Sequence, residues 1–354
     1  LWVREVAGIA VENGTEAVDI APGSDFVRVE LRRESRAGTF AETVYARKVV
    51  LAGGRDGSGA AAMPTFPSLD PASAVRPGGR VFHSSDAIDF SRFVGGAIGV
   101  LGASASAFDN AAVALEAGAK EAHLFCRRPH LPQINKSKWT VFAGFLEGYY
   151  QLDDRRRWEV YSYIFSEASP PPHESVLRCD HHAGFAIHFA EPWTDVLPTD
   201  ESVTVVTPKG RYAFDAVILA TGFAVDLSLR PELSGIHDKV LLWRDRVGEA
   251  EAERHPEAAR FPYLGPGFEL AERTPGAAPG LGNIHCFNAG ATMSQAALAG
   301  DIPGLATGAN RLSRAIAVAL FAADMDKLGA ALEAYDCREL EPTRYFLPRR
   351  AISG

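Results

Sequence analysis

The stretch Ala97-Ile98-Gly99-Val100-Leu101-Gly102-Ala103-Ser104-Ala105-Ser106-Ala107 decides the architecture of this chain. Its first part is a continuous apolar run, as a strand buried on both faces of a parallel sheet requires. From about Ser106 to Ala117 the spacing turns helical. Phe108, Ala112 and Leu115 fall on one face, and Gly118 is placed to end the helix. A second apolar strand, His123-Leu124-Phe125-Cys126, comes next. Strand, glycine turn, helix and strand in this order make a βαβ unit. The turn lies where a GxGxxG dinucleotide fingerprint would lie, with a pyrophosphate on the helix N-terminus. Gly102 holds the first glycine position, for the tight turn. Ser104 stands at the second, where the backbone must approach the pyrophosphate. Ala107, still small, stands at the third, where helix packs on strand. Gly102, Ala103, Ser104, Ala105, Ser106 and Ala107 are therefore candidate cofactor contacts; the competing reading is a plain βα turn.

Working outward, the strand after the helix runs into Arg127-Arg128, with Lys136 beyond. An NAD site places Asp or Glu there for the ribose 2′-hydroxyl, whereas cations suit the 2′-phosphate of NADP. These three residues favour NADPH, against the alternative of a solvated basic turn. Two similar segments bracket the unit. Val49-Val50-Leu51-Ala52-Gly53-Gly54 enters it, and Asp215-Ala216-Val217-Ile218-Leu219-Ala220-Thr221-Gly222-Phe223 leaves it. Two strand-and-glycine exits around a βαβ unit suggest one nucleotide domain inserted in another. The expected fold is α/β, with two interleaved Rossmann-like domains on parallel sheets. Residues 1–76 form one portion, 77–222 the inserted domain, and 223–354 the return to the first domain. Phe26–Leu31 alternates as a half-buried strand, and Leu312, Ile316 and Leu320 share a stripe on a helix from about 306 to 321. The aromatic run Trp139–Phe165 reads as a packed amphipathic helix, with a substrate lid as the alternative.

Composition narrows the function classes. The chain has 354 residues, a net charge of -8 and 47% apolar residues. That length suggests two domains, and the negative balance argues against a nucleic-acid partner. Four widely spaced cysteines without a CxxC pair disfavour a disulfide framework and dithiol redox chemistry, so a reducing cytoplasm is expected. No run of about 18 apolar residues is present to span a membrane. Cys179, His181 and His182 make a poor metal set, because adjacent histidines diverge and no fourth ligand is evident.

At these residues the chain resembles the class B flavoprotein monooxygenases: the flavin-containing, Baeyer–Villiger and N-hydroxylating enzymes. The DxxxLATGF pattern is matched by Asp215 to Phe223, and the second glycine loop with its SAxD by Gly102 to Asp109. Gly79 and His83 match part of the Baeyer–Villiger signature, whose phenylalanine and tryptophan positions are here Pro77 and Ala87. Asn283–Gly290 and Gly300–Gly304 resemble the segment returning to the flavin ring. The resemblance implies FAD and NADPH as cofactors, with Thr221, Gly222, Asp301 and Gly304 near them and His83 coupling the domains. Hydride would pass from NADPH to FAD, and O₂ activated as a peroxyflavin would oxygenate a small N, S or ketone substrate. The family opens with a glycine loop holding the FAD pyrophosphate, and none stands ahead of Leu1. FAD retention is then expected to need a separate N-terminal chain or fragment. Two other readings stay open: an NADPH oxidase or flavin-linked dehydrogenase, and a non-catalytic subunit on a nucleotide fold.

Overall fold

Apolar runs and turn residues place fifteen strands and nine α-helices among the described residues of the computed structural model, which are 2–36, 38–70, 78–340 and 345. An antiparallel meander comes first: β1 (Thr15–Ala21), β2 (Val27–Ser35) and β3 (Gly38–Ala46). Two short strands follow, β4 (Val49–Leu51) and β5 (Gly59–Ala61). The inserted unit contains β6 (Val81–His83), β7 (Ala97–Leu101), α1 (Ala105–Glu116) and β8 (Glu121–Phe125). Helices α2 (Ala143–Gly148), α3 (Asp154–Ser166) and α4 (His173–Asp180) lead to β9 (Phe185–His188). A second meander, β10 (Asp195–Pro198), β11 (Val203–Thr207) and β12 (Gly210–Phe214), precedes β13 (Ala216–Leu219) and β14 (Phe223–Val225). The remainder holds α5 (Arg244–Val247), α6 (Glu249–Arg254), β15 (Ile284–Cys286), α7 (Thr292–Gln295), α8 (Ile302–Ala323) and α9 (Met325–Glu333).

The inserted unit is a five-stranded sheet in the order β6-β13-β7-β8-β9, every pair parallel. Its two faces are covered differently. Ile98, Val100, Leu124 and Ile218 pack against Phe108, Ala111 and Leu115 of α1. Phe125, Val217 and Leu219 pack against Val196, Val203, Val205 and Phe214 of the second meander. Covering both faces is what a parallel sheet of near-continuous apolar strands demands. Gly99 makes room for the meander, since a Cβ there would lie 2.6 Å from the Phe214 ring.

The other unit has a parallel pair, β4 with β15. The two bracketing segments thus belong to different sheets, β4 to this pair and β13 to the five-stranded one. The chain crosses between the units twice, at β5 and β14, and these crossings pair antiparallel with Phe223 opposite Ala61. The boundary expected at 76–77, with Pro77, lies outside the described residues. The sequence pattern around 202–223 predicts a strand at 202–206, a turn at Pro208-Lys209-Gly210 and a strand at 216–220; the structure adds β12 between the two strands. A second element also differs from its expected bounds. The long helix starts at Ile302, four residues before the expected 306, because Pro303 near its start fixes φ without needing a hydrogen-bond donor.

Candidate functional site

The glycine turn is built as the dinucleotide argument requires. Gly102 has φ +132°, and a Cβ there would stand 2.5 Å from the Ala220 carbonyl oxygen. No L side chain fits that position without displacing the loop from β13. Gly102 N–H donates to Phe125 O at 2.9 Å, which fixes the turn at the C-terminal edge of the sheet. Ser104 is the N-cap of α1, yet its side chain caps no backbone N–H. The first N–H groups of a helix have no intrahelical acceptor, so this end presents donors and a positive dipole end to an anion. Ala107 is fully buried against the sheet, and a larger residue there would push the helix off it.

Arg127 and Arg128 follow β8 after Cys126 and are exposed, with no carboxylate against them among the described ion pairs. Their backbone is strapped to the residues after β9. Cys126 N–H donates to His188 O at 3.0 Å, Ala190 N–H to Arg128 O at 2.9 Å and Glu191 N–H to Cys126 O at 2.9 Å. Lys136 faces an aromatic ring: its ammonium lies 5.6 Å from the Tyr163 ring centroid, and the Tyr163 hydroxyl holds its pKa up.

His83 is 1% exposed, with both ring nitrogens engaged. Nε2 lies 3.0 Å from Gly222 O, and Nδ1 lies 2.7 Å from Ser85 Oγ and 3.2 Å from Ser85 N. A hydrogen on Nε2 satisfies all three contacts. Thr221 Oγ1 donates to Ala62 O at 2.5 Å, and Ala62 N–H donates to Gly222 O at 2.9 Å. His83, Thr221 and Gly222 together clasp the two crossings between the units.

Asp301 is the N-cap of α8, and Gly304 lies in its first turn, buried. A Cβ on Gly304 would reach 3.0 Å from Ala297 O, and one on Gly308 would reach 2.3 Å from Leu298 O. The helix start therefore lies hard against the loop 296–298. In that loop Ala296 is buried at φ 59°, ψ -166°, a conformation close to glycine-only. Strain of this kind gathers at functional sites, and no sequence pattern announces it. Beside it the aromatic run divides. Tyr149, Trp158 and Tyr161 are core, whereas Trp139 is 67% exposed.

Sequence reasoning missed Glu191 and Lys209. Glu191 is buried and accepts from Tyr212 Oη at 2.7 Å and Thr207 Oγ1 at 2.8 Å, with Lys209 Nζ at 3.1 Å. Burial acts to raise its pKa, and these donors outweigh it, holding the carboxyl at about 2. The meander brings these residues to the arginine turn, and their spacing in sequence carries no sign of it. Cys179 is buried and donates to Phe108 O. Among the described residues no three His, Cys, Asp or Glu converge to hold a metal.

Two dinucleotides were expected, and the residues fit them unequally. The Gly102 turn, with the close approach that only glycine allows, fits one pyrophosphate. Among the described residues no second strand–glycine–helix unit is present on the β4–β15 pair. Near that pair the loops Gly53–Gly57 and Asn288–Gly290 are tied together, with Asn288 Nδ2 donating to Gly57 O at 3.1 Å.

No family profile matches the chain. It is 33% identical over 342 residues to the FAD-dependent urate hydroxylase of Xanthomonas campestris, covering 96% of this chain and 69% of the relative. The fold is shared with an ornithine hydroxylase from Pseudomonas aeruginosa, at a TM-score of 0.62 and 17% identity over 89% of this chain and 73% of that one. A flavin monooxygenase from Stenotrophomonas maltophilia gives 0.53 and 17%, over 90% and 74%. The fold is shared with both solved structures, and the identity to the urate hydroxylase carries the relationship beyond fold. The chain belongs to the flavin-dependent monooxygenase family that includes the FAD-dependent urate hydroxylase.

Proposed function

We propose that this chain is an FAD- and NADPH-dependent monooxygenase acting on a small N, S or ketone substrate or on a urate-like heterocycle. The observation that carries the reading is Gly102, whose φ and contact with Ala220 O make a turn only glycine can hold at the start of α1. The pyrophosphate rests on the backbone from Gly102 to Ala107. Arg127 and Arg128 take the 2′-phosphate in charge-assisted hydrogen bonds. His83, Thr221 and Gly222 hold the crossings so that the nicotinamide meets the flavin in register. The backbone at Asp301 and Gly304 faces the flavin. FAD, when bound, supplies hydride acceptance and O₂ activation; the protein supplies binding, orientation and exclusion of water.

The FAD pyrophosphate is held in this reading by a further polypeptide segment, in the same or a separate chain, that adds a parallel strand beside β4. Among the described residues β4 has β15 as its only strand partner, and Val50 is 38% exposed. Parallel sheets are almost always covered on both faces and run to more than two strands. Among the described residues no helix is long and apolar enough to cross a membrane. Four free cysteines, three of them buried, support a reducing compartment such as the cytoplasm.

The test is an absorption spectrum after mixing with FAD, followed by NADPH oxidation with and without urate and primary amines. Flavin bound and oxygenated product formed in step with NADPH consumed is the expected result. NADPH consumed with hydrogen peroxide as the whole yield would leave an oxidase.

A further inference from the structure

Behind the strand exit that presents Arg127 and Arg128, four titratable side chains stand in a row. His123 of β8 and His188 of β9 stack with centroids 5.2 Å apart, and His188 Nε2 is 3.1 Å from His123 Nδ1. At one end His123 Nε2 lies 3.6 Å from Glu121 Oε2. At the other His188 Nδ1 lies 3.4 Å from Glu191 Oε2. Every element packed there contributes a defined charge. Lys120 Nζ is 3.1 Å from Glu121, and Lys209 Nζ is 3.1 Å from Glu191. The Tyr212 hydroxyl donates to Glu191, and the cations of the strand exit are Arg127 and Arg128. Phe125, stacked at 4.2 Å on His188, and Phe214 close the sides without charge.

The contact between the two rings is a hydrogen bond and needs one hydrogen. The carboxylates stand at ion-pair distance, Glu121 from His123 and Glu191 from His188, and each favours a cation in the row. Two imidazolium rings would set two hydrogens and two like charges face to face at 3.1 Å, so the row accommodates one added proton. We propose that His123 and His188 take up a single proton as one unit, and that this proton tightens binding of a 2′-phosphate-bearing dinucleotide at Arg127 and Arg128. The coupling half rests on the nucleotide site proposed above. Its route is short. The residues 188–191 are strapped to 126–128 by three backbone hydrogen bonds, so fixing His188 and Glu191 fixes the arginine turn, and the added positive charge faces the same phosphate. Burial and the facing His188 push the His123 pKa down, with Glu121 pulling it back.

The full chain is titrated by NMR at the histidine ring nitrogens, and NADP⁺ and NAD⁺ affinities are measured by calorimetry at pH 5.5 and 7.5. The same is done for His188→Gln and for Glu121→Gln. The latter is half-exposed and structurally mild, and it removes one of the two carboxylate charges that favour a cation in the row. The expected result is one joint transition of both rings worth one proton, weakened in Glu121→Gln and absent in His188→Gln. Unit charges about 10 Å apart imply NADP⁺ binding about twofold to fifteenfold tighter at the lower pH, relative to either variant, for effective dielectrics between about 80 and 20. NAD⁺ shows no such difference. Independent transitions of the two rings overturn the shared proton. A joint transition with the same NADP⁺ pH dependence in all three proteins overturns the coupling. A joint transition with no NADP⁺ binding at any pH overturns the nucleotide site and the coupling with it, and leaves the shared proton supported.

Discussion

Gly102→Ala is the most direct challenge to the proposed nucleotide site. The added Cβ would lie 2.5 Å from Ala220 O and 3.3 Å from the Ala220 carbonyl carbon, at φ +132°. Both obstacles are backbone, so no side chain can swing aside. Holding a non-glycine residue in such a conformation costs about 1–3 kcal/mol, and the overlap costs about 1–3 kcal/mol more if the loop stays in place. A typical stability of about 5–15 kcal/mol absorbs a combined loss in the lower part of these ranges with the protein folded. At about 2 cal/mol/K per residue, a loss of roughly 2–6 kcal/mol lowers the melting temperature of a chain this long by roughly 3–8 °C. If the loop moves instead, it leaves the start of α1, and the melting temperature changes less while NADP⁺ affinity falls by tenfold or more. The assay is a thermal melt with calorimetric NADP⁺ binding on the same preparation. Gly222→Ala is the control. Its φ is +79° but nothing lies within 4 Å of its Cβ, so it carries the conformational strain without the overlap. A Gly102→Ala protein with unchanged melting temperature and unchanged NADP⁺ affinity would refute the argument.

Arg127→Ala combined with Arg128→Ala should weaken NADP⁺ by about 10–100-fold and leave NAD⁺ within about twofold, measured by calorimetry; equal losses for both would move the 2′-phosphate elsewhere. Glu191 is held at about 2 against an ordinary 4.5, so its stabilisation is fully present above about pH 4.5 and is lost as pH falls towards 2. Denaturant melts across that window should show up to about 3 kcal/mol of pH-dependent stability that Glu191→Gln lacks. His83→Ala removes the ring that joins β6 to Gly222 O, and should slow flavin reduction by NADPH roughly tenfold with NADP⁺ affinity unchanged. Loss of affinity instead would place His83 at the nucleotide rather than at the crossings.

How much of this was legible beforehand differs residue by residue. The turn from Gly102 to Ala107 could be read because its requirement is local. A tight turn, a small packing residue and a change of period from strand to helix all lie within a dozen positions. The bracketing strands at 49–54 and 215–223 could be read as belonging together, and the structure puts them in separate sheets joined by the β5–β14 crossing. Lys136 illustrates the opposite case. Its charge was visible, but its alignment on Tyr163 follows from the course of the chain through 136–163. The strain at Ala296 was invisible because alanine carries no mark of the backbone it occupies.

By itself the sequence determined the βαβ unit, the glycine turn and the cations behind it, since apolar periodicity and turn chemistry act over neighbours in the chain. Tertiary structure alone decided that His83 closes on Gly222, that the second meander carries Glu191 and Lys209 to the arginine turn, and that His123 meets His188. Those contacts join residues 65 to 139 positions apart, or join them through a meander whose register is set by packing on Phe125 and Phe214. Burial then gives them their chemistry, because a carboxylate or imidazole withdrawn from water is governed by the few donors and charges that the fold places against it.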